Sequence, residues 1–184
     1  MSEIDWSWLQ ARLSEVQAMD AEAATEVLDE RVAAIDERLE AEVSDISGTR
    51  QVIITANGDP EVFELVHRVV AAAPSIPGWS FVTLRPAQGF DFEVDAGGLV
   101  FDAKALSFQP LPPEQAPTQP AIRLLVPNPE WGEWSELGLQ IIETGIGEEA
   151  AARIGYLEIG KREDDSENVF AIESLGGWLE RHPG

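Results

Sequence analysis

Apolar residues three or four apart run through the start of the chain: Trp6, Leu9, Leu13 and Val16, then Leu28, Val32, Ile35, Leu39 and Val43. That period lines them along one helical stripe. Residues 2–46 hold neither glycine nor proline, as helices prefer. Between the stripes, residues 20–26 are rich in alanine and acids, and Asp20 can cap a new helix. The pattern predicts two helices hinged near Met19-Asp20, forming an N-terminal arm over 1–48 that Ser47-Gly48 ends.

From residue 51 the period changes, and one arrangement occurs twice. Residues 52–55 (Val-Ile-Ile-Thr) read as a strand. Asn57-Gly58-Asp59-Pro60-Glu61 follows, then a helix over 60–73 and a second strand over 79–84. Val62, Phe63, Val66, Val69 and Val70 would face inward, with Glu61, Glu64 and Arg68 outward. The second copy has a strand over 122–126, Asn128-Pro129-Glu130, a helix with Trp134, Leu137, Ile141 and Ile142 on its stripe, and a strand over 154–159. In each copy a side-chain acceptor precedes proline and a glutamate. Those residues cap the first N–H groups, fill a position that needs no donor, and put negative charge at the positive helix end.

Between the copies, 90–94 and 99–108 have strand character, with Asp95-Ala96-Gly97-Gly98 as the hairpin turn. Residues 110–120 hold five prolines and read as a semi-rigid connector. After the acidic loop 163–167 comes a closing helix with Ile172, Leu175 and Leu179 apolar and Trp178 beside them. Two β-α-β units separated by a hairpin predict an α+β fold, with helices on one face of a mixed, mainly antiparallel sheet. Ferredoxin-like topology, or an elaboration of it, is the first expectation. The arm at 1–48 and an α+β domain at 49–184 would make a single globular unit.

Charge narrows the partners. The 184 residues carry 34 Asp and Glu against 12 Lys and Arg, a net charge of -22. Nucleic acid needs clustered cations, and anionic membrane surfaces attract them, so both are disfavoured. A basic protein partner would be steered toward such a chain, although acidity also serves solubility. The arm alone sets 13 acids against Arg12, Arg31 and Arg38. There are no cysteines, which excludes disulfides, thiol catalysis and zinc–thiolate sites. No stretch approaches the roughly 20 apolar residues of a spanning helix, and residues 2–5 are polar and acidic, so a soluble cytoplasmic protein is expected.

Candidate chemistry is thin. His67 and His182 are too few for a histidine metal site, and His67 falls on the exposed side of its helix. Asp91, Glu93, Asp95 and Asp102 are the metal candidates. Acids at alternate positions before glycine resemble a calcium loop, and Asp102 is twelfth counting from Asp91. Against this, the glycine comes one place late, and Phe90, Phe92 and Val94 alternate with the acids as a strand does. The strand reading outweighs the loop. The turn at Asn57-Gly58-Asp59 lacks a phosphate motif, and Asp59 and Glu61 would repel an anion. Gly78-Trp79-Ser80-Phe81-Val82 lacks the second glycine of a nucleophile elbow. No catalytic residue and no cofactor is assigned. Among six tryptophans, Trp79, Trp134 and Trp178 fit core faces. Trp6, Trp8 and Trp131 are the interaction candidates, the first two because a helix cannot turn residues two apart to one side, and Trp131 because it lies near the start of its helix, three residues before Trp134.

Several of these segments carry a resemblance. Val52-Ile53-Ile54-Thr55-Ala56-Asn57-Gly58, Phe63, Ala73-Pro74, Gly78-Trp79 and Leu84-Arg85-Pro86 resemble an uncharacterised bacterial domain family. Its members read "ISADG", an "AP" break, "W" and "FRPR". Gly145-Ile146-Gly147-Glu148 and residues 154–159 resemble the family's "LGE" and "IGFIE" elements, and Trp6-Ser7-Trp8-Leu9 its aromatic opening. Thr55 and Pro86-Ala87 depart from it. The resemblance implies architecture and bacterial origin and transfers no catalytic residue. The leading functional expectation is a non-enzymatic interaction protein of immunity or inhibitor type, binding a basic protein or a second copy of itself. The alternative is an enzyme, or a small-molecule or calcium-binding module, with a cleft between sheet and helical arm.

Overall fold

Leu39 and Val43 lie four residues apart, which is about one helical turn and also two strand repeats. Here the strand prevails. In the computed structural model, which describes residues 5–112, 114, 118–130, 134–162 and 167–182, helix ends at Ala33 and residues 40–46 form a strand. The helical expectation for 35–46 is therefore corrected. Ala41 pairs with Ile54 and Val43 with Val52, and Leu39 is fully buried. Ser47 and Gly48 both have positive φ, 52° and 81°, the geometry of a two-residue hairpin turn. Tertiary pairing and this turn decide between periods that the spacing leaves equal.

The chain divides into two compact units, 1–85 and 86–184. The expected boundary at 48/49 falls inside the hairpin turn of the first. That unit contains α1 (Ser7–Ala11), α2 (Leu13–Ala18), α3 (Ala21–Ala33), β1 (Glu40–Ile46), β2 (Thr49–Thr55), α4 (Phe63–Ala71) and β3 (Trp79–Thr83). The hinge falls where expected, although the first of the two expected helices is itself broken at Arg12 into α1 and α2, and Asp20 caps α3 by accepting from the Ala23 N–H at 2.9 Å. The sheet order is β1-β2-β3, antiparallel then parallel, with α4 as the crossover. Leu9, Val16, Leu28 and Val32 from the arm share one core with Val52, Ile54, Val66 and Val69. Each such fully buried side chain contributes about 1.5–3 kcal/mol. Arm and sheet thus share one core, at the place where the alternative reading put a cleft.

The second unit contains β4 (Glu93–Ala96), β5 (Leu99–Asp102), β6 (Ser107–Pro110), β7 (Ala121–Val126), α5 (Trp134–Ile146), α6 (Glu148–Ala151), β8 (Tyr156–Lys161), β9 (Phe170–Ala171) and α7 (Leu175–Arg181). The strand expected over 99–108 is broken by a 3-10 turn at Ala103–Ala105. β4 and β5 consequently form a two-stranded hairpin, and Phe108 passes into a four-stranded sheet ordered β8-β7-β6-β9. Phe108, Ile122, Leu124, Ile142, Ile172, Leu175 and Leu179 are fully buried, so the closing-helix stripe lies as expected. β7 and β8 are parallel through α5, and β6 is antiparallel to β7. The duplication is thus larger than strand–helix–strand: in both units an antiparallel strand flanks the first strand of the β-α-β unit.

The molecule is α+β, with mixed, mostly antiparallel sheets and an N-terminal helical region. Its two β-α-β units lie in separate sheets. No described helix is long and apolar enough to cross a membrane.

Candidate interaction grooves

Of the three tryptophans expected at a surface, Trp6 belongs to the core. It is 7% exposed, and its Nε1–H donates to the Val69 carbonyl at 3.0 Å. Trp6 precedes the first residue of α1, which frees its ring from helical spacing. It therefore stacks on Trp8, with centroids 6.3 Å apart and planes at 24°. Trp8 is half-buried, and the Arg31 guanidinium lies over it at 5.1 Å. Asp5, Arg31, Val32 and Ile35 help line a groove of about 260 Å³ there. The chain's own arginine already occupies the aromatic face a cationic ligand would use. Trp131 lies outside the described residues.

Asp59 caps the 3-10 turn Pro60–Val62 that leads into α4, whereas Asn128 closes a local turn ahead of α5, whose first described residue is Trp134. Asp59 Oδ1 accepts from the Glu61 N–H at 3.0 Å and Asn128 Oδ1 from the Glu130 N–H at 3.1 Å. Asp59 also pairs with Arg38 at 3.3 Å. Pro127, Asn128, Pro129, Glu130 and Lys161 line an open space of about 590 Å³ at the carboxyl ends of β7 and β8. There one ammonium stands beside one carboxylate, a weak basis for holding an anion.

The four metal candidates separate into other roles. Lys104 Nζ bridges Asp91 at 2.8 Å and Asp102 at 3.2 Å, and this ammonium holds the Asp91 carboxyl below its ordinary range. Asp95 Oδ1 accepts from the Gly98 N–H at 2.7 Å and so closes the hairpin turn. Glu93 projects outward from β4. Among the described residues, no three acidic or histidine side chains converge as a metal site. The alternating reading of this segment holds, since Val94 and Ala96 are buried and Glu93 and Asp95 exposed. His67 is exposed, and His182 Nδ1 bonds the Trp178 carbonyl at 2.8 Å.

A groove of about 340 Å³ runs between β4 and α5. Phe92, Val94, Leu137 and Ile141 supply its apolar lining, and Glu93 and Asp95 edge it with Gln88, Gln140 and Thr144. One end is fixed by Gln88 and Gly89, whose N–H groups donate to the Thr144 and Gly145 carbonyls at 2.9 and 3.1 Å. Among the described residues, β4 pairs with β5 alone. Because Gly97-Gly98 is a two-residue turn, Ala96 and Leu99 are a hydrogen-bonded pair. Glu93 and Asp95 then fall at the non-bonded positions, and the 2.9 Å bond from the Ala103 N–H to the Phe92 carbonyl fits that alternation. Their backbone groups point away from β5.

Two packing roles important to the framework, those of Arg50 and Gly145, were overlooked in the sequence. Arg50 is 8% exposed and donates to the Val16 and Met19 carbonyls at 2.7 and 2.8 Å. Its Nε also bonds Asp45 Oδ1 at 3.0 Å. The available signal was an arginine in alternation with Val52 and Ile54. Gly145 lets the Phe90 ring lie against the α5 backbone, for a Cβ there would come within 2.1 Å of the ring. Its signal was a glycine seven residues after Gly138 on an apolar stripe.

Compared with known protein families, curated proteins and solved structures, the chain matches none.

Proposed function

We propose that this chain is a non-catalytic protein-interaction domain whose partner is basic, an immunity- or inhibitor-type role in the bacterial cytoplasm. The observation that carries the reading is how its charges are distributed. Arg12, Arg38, Arg50, Arg85, Lys104 and Arg123 are each paired with a carboxylate of their own unit. With these six of the 12 cations paired, the excess from 34 acids that sets the net charge of -22 gives the chain a predominantly acidic surface. Such a surface attracts a basic partner at long range and repels a second copy of itself.

Affinity capture with the full chain across a salt series tests this. The captured partner should be basic, should bind in a defined ratio when purified, and should associate more slowly as salt is raised. Capture of an acidic partner, or a salt-independent association rate, would sink the reading. Self-association is measured by sedimentation of the full chain. Deleting residues 1–48 is no clean test of it, because that would remove β1 and part of the core.

A further inference from the structure

We infer that the exposed edge of β4 receives an extended peptide strand from the basic partner, with lysine or arginine at alternate positions and an apolar residue between them. The inference rests on the interaction reading above and names its site. Three features of the groove converge on this occupant. The first is the edge itself: the N–H and C=O groups of Glu93 and Asp95 face away from β5, and an antiparallel strand would exchange hydrogen bonds with both. Second, directly opposed residues of an antiparallel pair share a face. The two peptide residues opposite Glu93 and Asp95 would therefore lie beside exposed carboxylates, while Lys104 is engaged by Asp91 and Asp102. Third, the residue between them would share the face of Val94, where Leu137 and Ile141 complete an apolar lining.

Charge also selects against the competing occupant. A second copy pairing antiparallel through its own β4 would set Glu93 and Asp95 against the same carboxylates. A basic strand relieves that repulsion.

The probe is a short blocked peptide alternating lysine with valine, titrated into the isotopically labelled full chain and followed by amide NMR. Saturable shifts should centre on Glu93, Asp95, Leu137 and Ile141. Affinity should fall about threefold in Glu93→Gln and about tenfold in Glu93→Gln/Asp95→Asn. Both side chains are exposed, and asparagine keeps the acceptor for the Gly98 N–H, so the fold is preserved. Methylating the amides of the peptide's lysines should abolish binding, because it removes edge bonds while keeping charge.

Shifts centred elsewhere, or unchanged affinity after methylation, would overturn edge pairing and leave the basic-partner reading standing. The same signals moving with protein concentration alone would assign the edge to a second copy and overturn the inference. A lysine peptide that binds nowhere, when the captured partner also loses no affinity in the double variant, would overturn the β4 site and spare the wider reading.

Discussion

The two units start from the same device and finish with different interiors. Each has a strand, an Asx-Pro-Glu turn, a helix and a parallel strand, with an antiparallel neighbour beside the first strand. In the first unit the remaining space is filled by an imported helical arm. Polar groups then tie the arm to the sheet, through Arg50 to the Val16 and Met19 carbonyls, and to α4, through Trp6 to the Val69 carbonyl. In the second unit the helix approaches its neighbours directly, and glycines at 138 and 145 make room. One supersecondary unit thus accommodates either solution. Long-range packing sets the difference, because the local capping chemistry is shared.

The largest effect is expected where the first unit depends on a buried cation. Arg50→Met should take the guanidinium donor from the Val16 and Met19 carbonyls and remove the fork to Asp45. A loss of about 3 kcal/mol in urea unfolding is expected. Arg50→Lys should recover part of it, since an ammonium keeps charge and loses the planar fork. A loss below about 1 kcal/mol for Arg50→Met would mean that apolar packing alone holds the arm.

The second unit should break through volume. Gly145→Ala would place a methyl within 2.1 Å of the Phe90 ring, and a rigid ring beside a helix backbone has little room to yield. A cost of about 2 kcal/mol is expected from overpacking, after the small gain in helix propensity. A neutral result would show that the Phe90 segment can lift away.

These two positions also explain what the sequence disclosed. Asp20 and Asp59 were readable because a cap works over two or three residues, and Asn128 makes the same local bond in a turn ahead of α5. The alternation of acids with Phe92 and Val94 was readable because it too is local, although the strand runs over Glu93–Ala96 and takes in Asp95 and Ala96, which the expectation gave to the turn. Leu39 and Val43 were not, because a spacing of four satisfies both periods and only pairing with β2 decides. The exposed edge of β4 depends on the break at Ala103–Ala105 that sends β6 to another sheet. No residue of β4 records that event. Trp6 and Trp8 were identified as unusual, but burial of one ring and capture of the other by Arg31 follow from tertiary placement.

A smaller effect separates rigid from yielding neighbours within the second unit. A Cβ at Gly160 would lie 2.6 Å from Arg123 Cδ. That side chain is flexible, so Gly160→Ala should cost less than about 1 kcal/mol. The readout that matters is the pair from Arg123 Nε to Glu158 Oε1, now 2.8 Å. Arg123 side-chain NMR signals should move while the urea midpoint barely does. A loss matching that of Gly145→Ala would show that clash distance alone, without regard to the neighbour's freedom, sets the penalty.

The smallest effect compares the surface ion pairs of the two units. In the first, Arg38 donates through Nε and Nη2 to both Asp36 carboxylate oxygens, each at 3.0 Å. With the Arg38 backbone N–H also bonded, the Asp36 pKa falls from 3.8 to about 2. In the second, Lys104 offers a compact ammonium divided between Asp91 and Asp102, and Asp91 is lowered by its hydrogen bond and charge. A fork matched to both oxygens should hold its carboxylate further down than a shared point charge does. Because both folded pKa values are depressed, each pair's contribution is present above the unfolded value near 3.8 and is lost as pH falls through the folded one. Carboxyl NMR titration should find Asp36 protonating at lower pH than Asp91. Arg38→Gln should return Asp36 toward 3.8, and Lys104→Gln should release Asp91. Equal titration of the two acids would place the control in bulk surface charge, since a net charge of -22 acts on both alike.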